Sequence, residues 1–399
     1  MISAHARDAV ADSLPAVTAA IQNIAARSYE TLFEERPDLL HRLFNRHNQA
    51  TGEQQAALAN GLAGFAGLLV HKPYIDARTV LERIAHKHVS VGVRPDQYEL
   101  VHRHLMMAFS TVLGAAATER VLAGWSEVYW AMARALAARE AQLSEKLGIT
   151  PGEHWRSWLV VRRAREAHHV LSLLLEPADD WPDDTFTPGQ YVSVAAPVDE
   201  DSFQIRQYSI SSPPGGRRLR ISVERQVREG RPPGDVSTYL HERAVLGSTI
   251  LLSPPCGELT LPPDATEPLL LVSYGIGVTP FVSMLGDFAE RGVRRPVTHV
   301  HIDRDVLHHP HRFETEEYLA RLPEGRSHPV YDDLQWAPKG AVPTPFDFRE
   351  LALPTDTTAL LCGPSSFLQA TRAALVNAGV RPHSIRYEVF GPDLWTAPS

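Results

Sequence analysis

Leu269-Leu270-Leu271-Val272-Ser273-Tyr274-Gly275-Ile276-Gly277-Val278-Thr279-Pro280-Phe281 decides how the second half of this chain is read. The apolar run has the length and branching of a buried strand. Two glycines then turn the backbone, and Thr279 and Pro280 suit the start of a helix running to about Ala289. Glycines let backbone amides approach a phosphate closely, and a helix amino terminus favours negative charge. The stretch is not a Gly-x-Gly-x-x-Gly fingerprint. Taken alone, it fits a plain strand–helix junction as well as a nucleotide site.

Downstream, Val297-Thr298-His299-Val300-His301 and Ala359-Leu360-Leu361 are further strands, the latter leading into Cys362-Gly363-Pro364 and another helix. Strands alternating with helices imply a parallel α/β sheet with a nucleotide at its carboxyl edge. Upstream lie short strand-like runs, at 158–161, 169–175, 191–194 and 219–223, several parted by turn clusters such as Pro213-Pro214-Gly215-Gly216. They predict an antiparallel barrel to about residue 262. Of 31 prolines, only Pro15, Pro37, Pro73 and Pro95 precede residue 150, so that stretch is free to hold long helices. Ile21, Ile24, Tyr29, Leu32 and Phe33 recur at helical spacing, Pro37 and Pro95 stand where helices begin, and Val121–Leu147 reads as one helix stopped by Gly148 and Pro151. The expectation is a multidomain chain: an all-α domain over 1–148, an antiparallel β-barrel over 152–263 and an α/β parallel-sheet domain over 264–399.

Composition narrows the function. A length of 399 residues exceeds what one core usually supports. The formal charge of −8 argues against a general nucleic-acid binder. No apolar run approaches the ~18–20 residues of a membrane span, and Asp8 stands where a secretory signal needs apolar residues, so a cytoplasmic chain is expected. Cys256 and Cys362 are too few for a disulfide framework or a four-thiolate metal site.

Other segments carry chemistry. Within a barrel strand, Arg206-Gln207-Tyr208-Ser209 offers a guanidinium for phosphate, a ring on the same face that can stack on a planar cofactor, and a hydroxyl for a ring nitrogen. Alone it reads better as a surface Arg–Tyr pair. Gly189-Gln190-Tyr191 precedes it, and Cys362-Gly363-Pro364 and Tyr387-Glu388-Val389-Phe390-Gly391-Pro392 follow. In the helical part, Ile84-Ala85-His86-Lys87-His88-Val89-Ser90 places two histidines ~200° apart around a helix, so at most one looks inward in a simple arrangement. Such a histidine can ligate haem iron, although a helical histidine is more often a surface or core residue.

In order and spacing, Arg-x-Tyr-Ser, Gly-x-Gly-x-Thr-Pro and Cys-Gly-Pro make the second half resemble the ferredoxin–NADP reductase superfamily. The first half resembles a globin, and the chain from about Ser28 to Pro392 resembles the flavohaemoglobins. That resemblance implies haem b, FAD and NADH, with NADPH as the other nucleotide candidate. It implies His88 as the proximal iron ligand, Tyr98 and Glu140 as its hydrogen-bond partners, Tyr29, Gln54 and Leu58 on the distal side, and Phe44 against the haem. Lys87 and Phe390 match positions at the haem–flavin junction. FAD falls to Tyr191, Arg206, Gln207, Tyr208 and Ser209, to Gly234, Val236 and Ser237, and to Val389, Phe390, Gly391 and Pro392. The nicotinamide nucleotide falls to Gly275, Ile276, Gly277, Val278, Thr279 and Pro280, and to Cys362, Gly363 and Pro364. Val278 departs from the polar residue usual in the turn, Val389 stands where relatives carry cysteine, and the loop 228–237 is long and proline-rich.

The implied activity is a nitric oxide dioxygenase, with electrons passing from NADH through FAD to haem and NO and O2 becoming nitrate. Its partners are these small molecules, with no nucleic acid, transmembrane segment or obligate protein partner. A haem-based O2 or NO binder or sensor is one alternative, disfavoured by the complete reductase half. A general NAD(P)H diaphorase or quinone reductase is another, disfavoured by Tyr29, Gln54, Tyr98 and Glu140. Asp303 and Asp305, after the second nucleotide-domain strand, favour a ribose hydroxyl and hence NADH, with Arg304 between them pulling the other way.

Overall fold

The computed structural model describes residues 2–42, 52–71, 77–179, 186–199, 202–227 and 233–390. The main body of one compact unit is Met1–Trp155; the other takes in Arg156–Val198 and Arg206–Gly391. Each is described separately below.

The first unit is helical. α1 (Ala4–Glu35) starts where the Ser3 hydroxyl accepts the Ala6 amide at 3.1 Å, relieving an amide the helix cannot bond itself. Pro15 lies inside α1, although proline is expected to end a helix. Its cost of about 3 kcal/mol is outweighed by the face α1 buries. Val10, Val17, Ile21, Ile24 and Leu32 lie on that face, and each such side chain contributes roughly 1.5–3 kcal/mol. There follow α2 (Pro37–Arg42), α3 (Glu53–His71), α4 (Ala77–Val91), α5 (Gln97–Leu113) and α6 (Glu119–Leu147). α6 begins two residues before the apolar pattern does, because the Thr118 hydroxyl caps it by accepting the Val121 amide at 3.3 Å. Gly148, at φ 62°, ends it in the left-handed conformation that glycine adopts without a Cβ clash. α1 packs across α3, α5 and α6, and α4 packs on α6.

The second unit opens with a six-stranded sheet of β1 (Arg156–Ala167), β2 (Val170–Pro177), β3 (Tyr191–Asp199), β4 (Ser202–Ser209), β5 (Leu219–Glu224) and β6 (Thr249–Leu252). The spatial order is β4-β3-β6-β1-β2-β5. An antiparallel bridge between Ile210 and Ile221 joins the two ends, and the Ser211 amide donates to the Arg220 carbonyl at 2.7 Å beside it. The sheet therefore closes into the expected barrel, filled by Trp158, Val160, Leu173, Leu175, Val192 and Ile250. One short helix, α7 (Asp235–Glu242), covers it with Val236 and Leu240.

The rest of that unit is a doubly wound α/β layer. Its strands are β7 (Leu269–Tyr274), β8 (Val297–Asp303), β9 (Gly325–Tyr331), β10 (Val342–Pro343), β11 (Thr358–Gly363) and β12 (Ile385–Val389). They run parallel in the order β10-β9-β8-β7-β11-β12. α8 (Thr279–Arg291), α9 (Arg312–Ala320) and α10 (Ser365–Asn377) are its helices. Strand order reverses at β7, and ligands in such sheets sit at the carboxyl ends beside that reversal. Gly275 to Pro280 stand there. Among the described residues no helix is long and apolar enough to cross a membrane.

Candidate functional site

The α4 histidine, an α5 tyrosine and an α6 glutamate converge in the helical unit. His88 Nδ1 lies 2.8 Å from Glu140 Oε1 and 3.0 Å from the Tyr98 hydroxyl, which itself donates to Glu140 Oε1 at 2.6 Å. Tyr98 and Glu140 are buried. Burial and the adjoining carboxylate push the Tyr98 phenol well above its ordinary pKa, so it stays a donor. With Nδ1–H donating to Glu140, the neutral imidazole keeps its lone pair on Nε2, which no described residue takes up. Tyr129 also supports the group, its hydroxyl donating to the Tyr98 carbonyl at 2.6 Å. Sequence reasoning missed Tyr129. The available signal was its spacing of eleven residues from Glu140, three turns of α6 on one face.

His86 departs from the simple picture in which at most one of the two histidines looks inward. It is buried, with Nε2 3.3 Å from Glu82, and three α6–α4 hydrogen bonds from Arg139 Nε and Nη2 hold that Glu82 carboxylate at 2.6–2.9 Å. Both rings thus meet ionic partners tied to α6. Only His88 leaves a nitrogen open. Lys87, between them, is exposed.

Tyr29 is buried against Leu32 and Leu39, and Leu58, Phe33, Leu100 and Val101 pack on the same cluster. Its ring stacks on Phe33 at 5.6 Å between centroids. Two of the expected distal residues, Tyr29 and Leu58, therefore belong to one packed cluster. Phe44 lies outside the described residues, as does the Gln54 side chain.

In the barrel, the Tyr191 amide and carbonyl pair with Cys256 at 2.8 Å each, Gln207 donates to the Ser193 hydroxyl at 3.0 Å, Tyr208 packs on the core and Ser209 is buried. Burial lowers the Arg206 pKa against the opposing pull of Tyr208 and Asp235. Asp235 is the first residue of α7, so the guanidinium and that helix start share one neighbourhood. Gly234 caps α7 with no side-chain hydrogen bond. The Ser237 hydroxyl donates to the Gly234 carbonyl at 3.0 Å and accepts the Gln226 amide at 3.2 Å, and Val236 anchors the turn in the core. The loop 228–232 lies outside the described residues.

At the sheet edge, Gly275 takes φ +53°, and a Cβ on Gly277 would stand 2.3 Å from the Cys362 carbonyl oxygen. Only glycine lets the Gly275–Val278 turn lie this close to the end of β11. The Thr279 hydroxyl donates to the Ile276 carbonyl at 2.9 Å, Pro280 occupies the first turn of α8, and Val278 is buried. Cys362 is paired in register with Ser273 on one side and Glu388 on the other, Gly363 with Val389, and Pro364 precedes α10. Cys362 is buried and its thiol pKa is pushed well up, which keeps it protonated. Phe390 is partly exposed; Gly391 and Pro392 lie outside the described residues.

Asp303 and one oxygen of Asp305 are already engaged within the protein. Asp303 accepts the Arg304 amide at 2.8 Å and lies 3.2 Å from His301 Nε2. One oxygen of Asp305 meets the Leu307 amide, the His308 amide and the His308 ring within 3.1 Å. A ribose hydroxyl would compete with those bonds at Asp303, whereas Asp305 Oδ2 has, among the described residues, only Arg304 Nε at 3.7 Å.

A family model described as globin matches residues 26–136. Over 99% of this chain and 100% of that protein, the sequence is 35% identical to the flavohemoprotein of Rhizobium meliloti. It is 36% identical to that of Bordetella pertussis over 98% of this chain and 99% of the relative. The fold is similar to a flavohemoglobin from Malassezia yamatoensis solved with bound FAD and heme, at TM-score 0.90 and 30% identity, covering 98% of this chain and all of that one (100%). The second half is similar to the FAD/NAD-binding domain of a nitric oxide dioxygenase from Vibrio cholerae, at TM-score 0.56 and 32% identity over 60% of this chain and 100% of that one. With relatives matched along nearly their whole length, a histidine–tyrosine–glutamate set in the globin helices and a glycine turn at the switch point, the chain belongs to the flavohemoprotein family.

Proposed function

We propose that this flavohemoprotein is an NADH-driven nitric oxide dioxygenase. In this reading residues 1–148 hold haem, 152–263 hold FAD and 264–399 take the nicotinamide nucleotide. The observation that carries it is the open Nε2 of His88, oriented by Glu140 and Tyr98 in a chain that also holds a reductase fold. The residues fit the groups. An imidazole with Nε2 open and its other nitrogen held by a buried carboxylate suits a haem iron. A desolvated arginine beside a helix start suits the FAD pyrophosphate, and the open space at Gly275, with nothing within 4 Å of a Cβ built there, leaves room for a nucleotide to approach the backbone.

Bound haem and FAD supply the redox chemistry, a relay of electrons from NADH ending in conversion of NO and O2 to nitrate. The chain sets orientation and charge. Glu140 holds the proton on His88 Nδ1 and increases electron donation through Nε2. Tyr29 brings a phenolic donor to the cluster it shares with Leu58. The Gly275–Pro280 turn and α8 present backbone amides to the nucleotide phosphates.

The test is NADH oxidation by purified holoprotein under O2, with and without NO and then with artificial acceptors. NO-dependent consumption supports a dioxygenase; turnover with artificial acceptors alone supports a diaphorase. Glu140→Gln removes the carboxylate that holds His88 Nδ1 and is expected to weaken haem retention or NO turnover by roughly 10–100-fold, as loss of an outer partner does; absorbance after gel filtration checks the first. Tyr29→Phe preserves packing but loses a hydrogen bond to a charged acceptor, about 1.5–3 kcal/mol. O2 release from the reduced protein should then quicken by about one to two orders of magnitude in stopped flow, toward the lower end if the Gln54 amide compensates. A rate unchanged within about twofold would make Tyr29 a packing residue only.

A further inference from the structure

His311 lies between β8 and α9 at φ +57°, a left-handed backbone position that side chains other than glycine rarely hold. Its ring is fully buried, with side-chain exposure of 0%. Nδ1 lies 2.9 Å from Glu314 of α9 and Nε2 lies 2.8 Å from the hydroxyl of Ser222, a β5 residue of the barrel. With Nδ1–H donating to the carboxylate, Nε2 accepts the Ser222 hydroxyl. That oxygen in turn stands 2.8 Å from the buried hydroxyls of both Ser172 and Ser211. Glu314 is gripped from the barrel as well. Arg220 Nη2 reaches its two oxygens at 2.9 and 2.8 Å, and Tyr318 donates to it at 2.9 Å. Arg220 also donates to the carbonyl of Ser211 and, through Nε, to its hydroxyl at 3.2 Å. Burial would raise the Glu314 pKa, but the His311 hydrogen bond and the Arg220 charge reverse this and hold it at about 2. The carboxylate is therefore charged at any working pH.

This clasp joins the two parts whose mutual placement matters. Ser211 follows by two residues the Ser209 that ends the Arg-x-Tyr-Ser strand, so Arg220 grips the same stretch that presents Arg206 and Tyr208. On the other side, Ser273 of β7 bonds His299 and His301 of β8 at 3.0 and 2.8 Å, and β7 leads directly into the Gly275–Pro280 turn. From the nucleotide turn these bonds reach His301, whose ring stacks on His309 at 3.7 Å between centroids, two residues before His311 and its bonds to the barrel. We propose that Glu314, held by Arg220 and by the Ser222-bound His311, is a positioning residue that sets the approach of the nicotinamide to the flavin. The proposal rests on the reductase reading given above. In the step concerned, a hydride with its electron pair leaves NADH, giving NAD+ and reduced flavin, and neither Glu314 nor His311 touches the reacting atoms.

A misplacement of about 1 Å far from the chemistry can cost ~10²-fold. Glu314→Gln keeps the shape and removes the charge. In anaerobic stopped flow of the holoprotein, its flavin should be reduced by NADH at least about tenfold more slowly at saturation. The NADH concentration for half-maximal rate should hardly change, and reduction by dithionite should be as fast as in wild type. Hydrogen–deuterium exchange of the same holoprotein should quicken at Leu219–Glu224 and Arg312–Ala320 together. Ser222→Ala, which removes one hydroxyl, should move both readouts in the same direction and carries the test if Glu314→Gln sheds flavin. Rates within about twofold of wild type in flavin-replete variants overturn the proposal, as does slowing equal for NADH and dithionite. Failure of NADH to reduce even the wild-type flavin contradicts the reductase reading, and is told apart because wild type and variants then behave alike.

Discussion

Replacing His88 with alanine is expected to strip haem from the protein while leaving the flavin half working. The side chain is the one imidazole in α4 whose Nε2 no described residue takes up, its other nitrogen being held by Glu140 at 2.8 Å. Removing an outer partner of a metal ligand costs roughly 10–100-fold, so removing the ligand should exceed the upper end of that range. It also leaves Glu140 buried with the Tyr98 hydroxyl still donating to it, at 2.6 Å. The haem bands should be absent after purification, whereas flavin absorbance and NADH oxidation with an artificial acceptor should persist. His86→Ala is the control. That ring serves the Glu82–Arg139 pair and its loss should leave the haem spectrum in place. Haem bands of normal strength in the His88 variant would place the ligand elsewhere.

The second large effect is expected from Gly277→Val. A Cβ at this position would lie 2.3 Å from the Cys362 carbonyl oxygen and 2.8 Å from its carbon, both backbone atoms that no rotamer change can move away. The turn must shift, and a shift of about 1 Å predicts a loss near 10²-fold in the rate at which NADH reduces the flavin. Haem absorbance should be untouched. Gly275→Ala offers a graded comparison. Gly275 has φ +53° but nothing within 4 Å of its missing Cβ, so the penalty is backbone strain alone, about 1–2 kcal/mol. Equal effects at the two positions would show that strain, rather than close approach to β11, governs the turn.

The three-part architecture was legible because each part carries its own period. Proline scarcity marks the helices, short branched runs mark the barrel, and a strand–glycine–helix junction marks the parallel sheet. Pro15 inside α1 left no mark on that reading, because the face that the 32-residue helix buries overrides one lost hydrogen bond. The four-residue β6, Thr249–Leu252, is too short to announce itself, and its place between β3 and β1 comes from long-range pairing. The meeting of His88, Tyr98 and Glu140 joins three helices across 52 residues, and no local pattern encodes it; only the joint motif pointed there. Asp303 ends β8 and Asp305 follows it as expected, but sequence could not show that His301 and the Arg304 amide meet both oxygens of Asp303, or that His308 and two amides share one oxygen of Asp305. The His311–Glu314 clasp was invisible for a related reason: its barrel partners, Arg220 and Ser222, lie about ninety residues away.

The central claim is that NADH, O2 and NO are consumed together by one chain. In a closed cell, purified protein with haem and FAD is supplied with NADH and O2, then pulsed with NO while an electrode follows NO and the products are assayed. The account predicts NO loss that requires both NADH and O2, with nitrate recovered in proportion to the NO removed. NO that decays no faster than in buffer, while NADH still reduces an artificial acceptor, would contradict it.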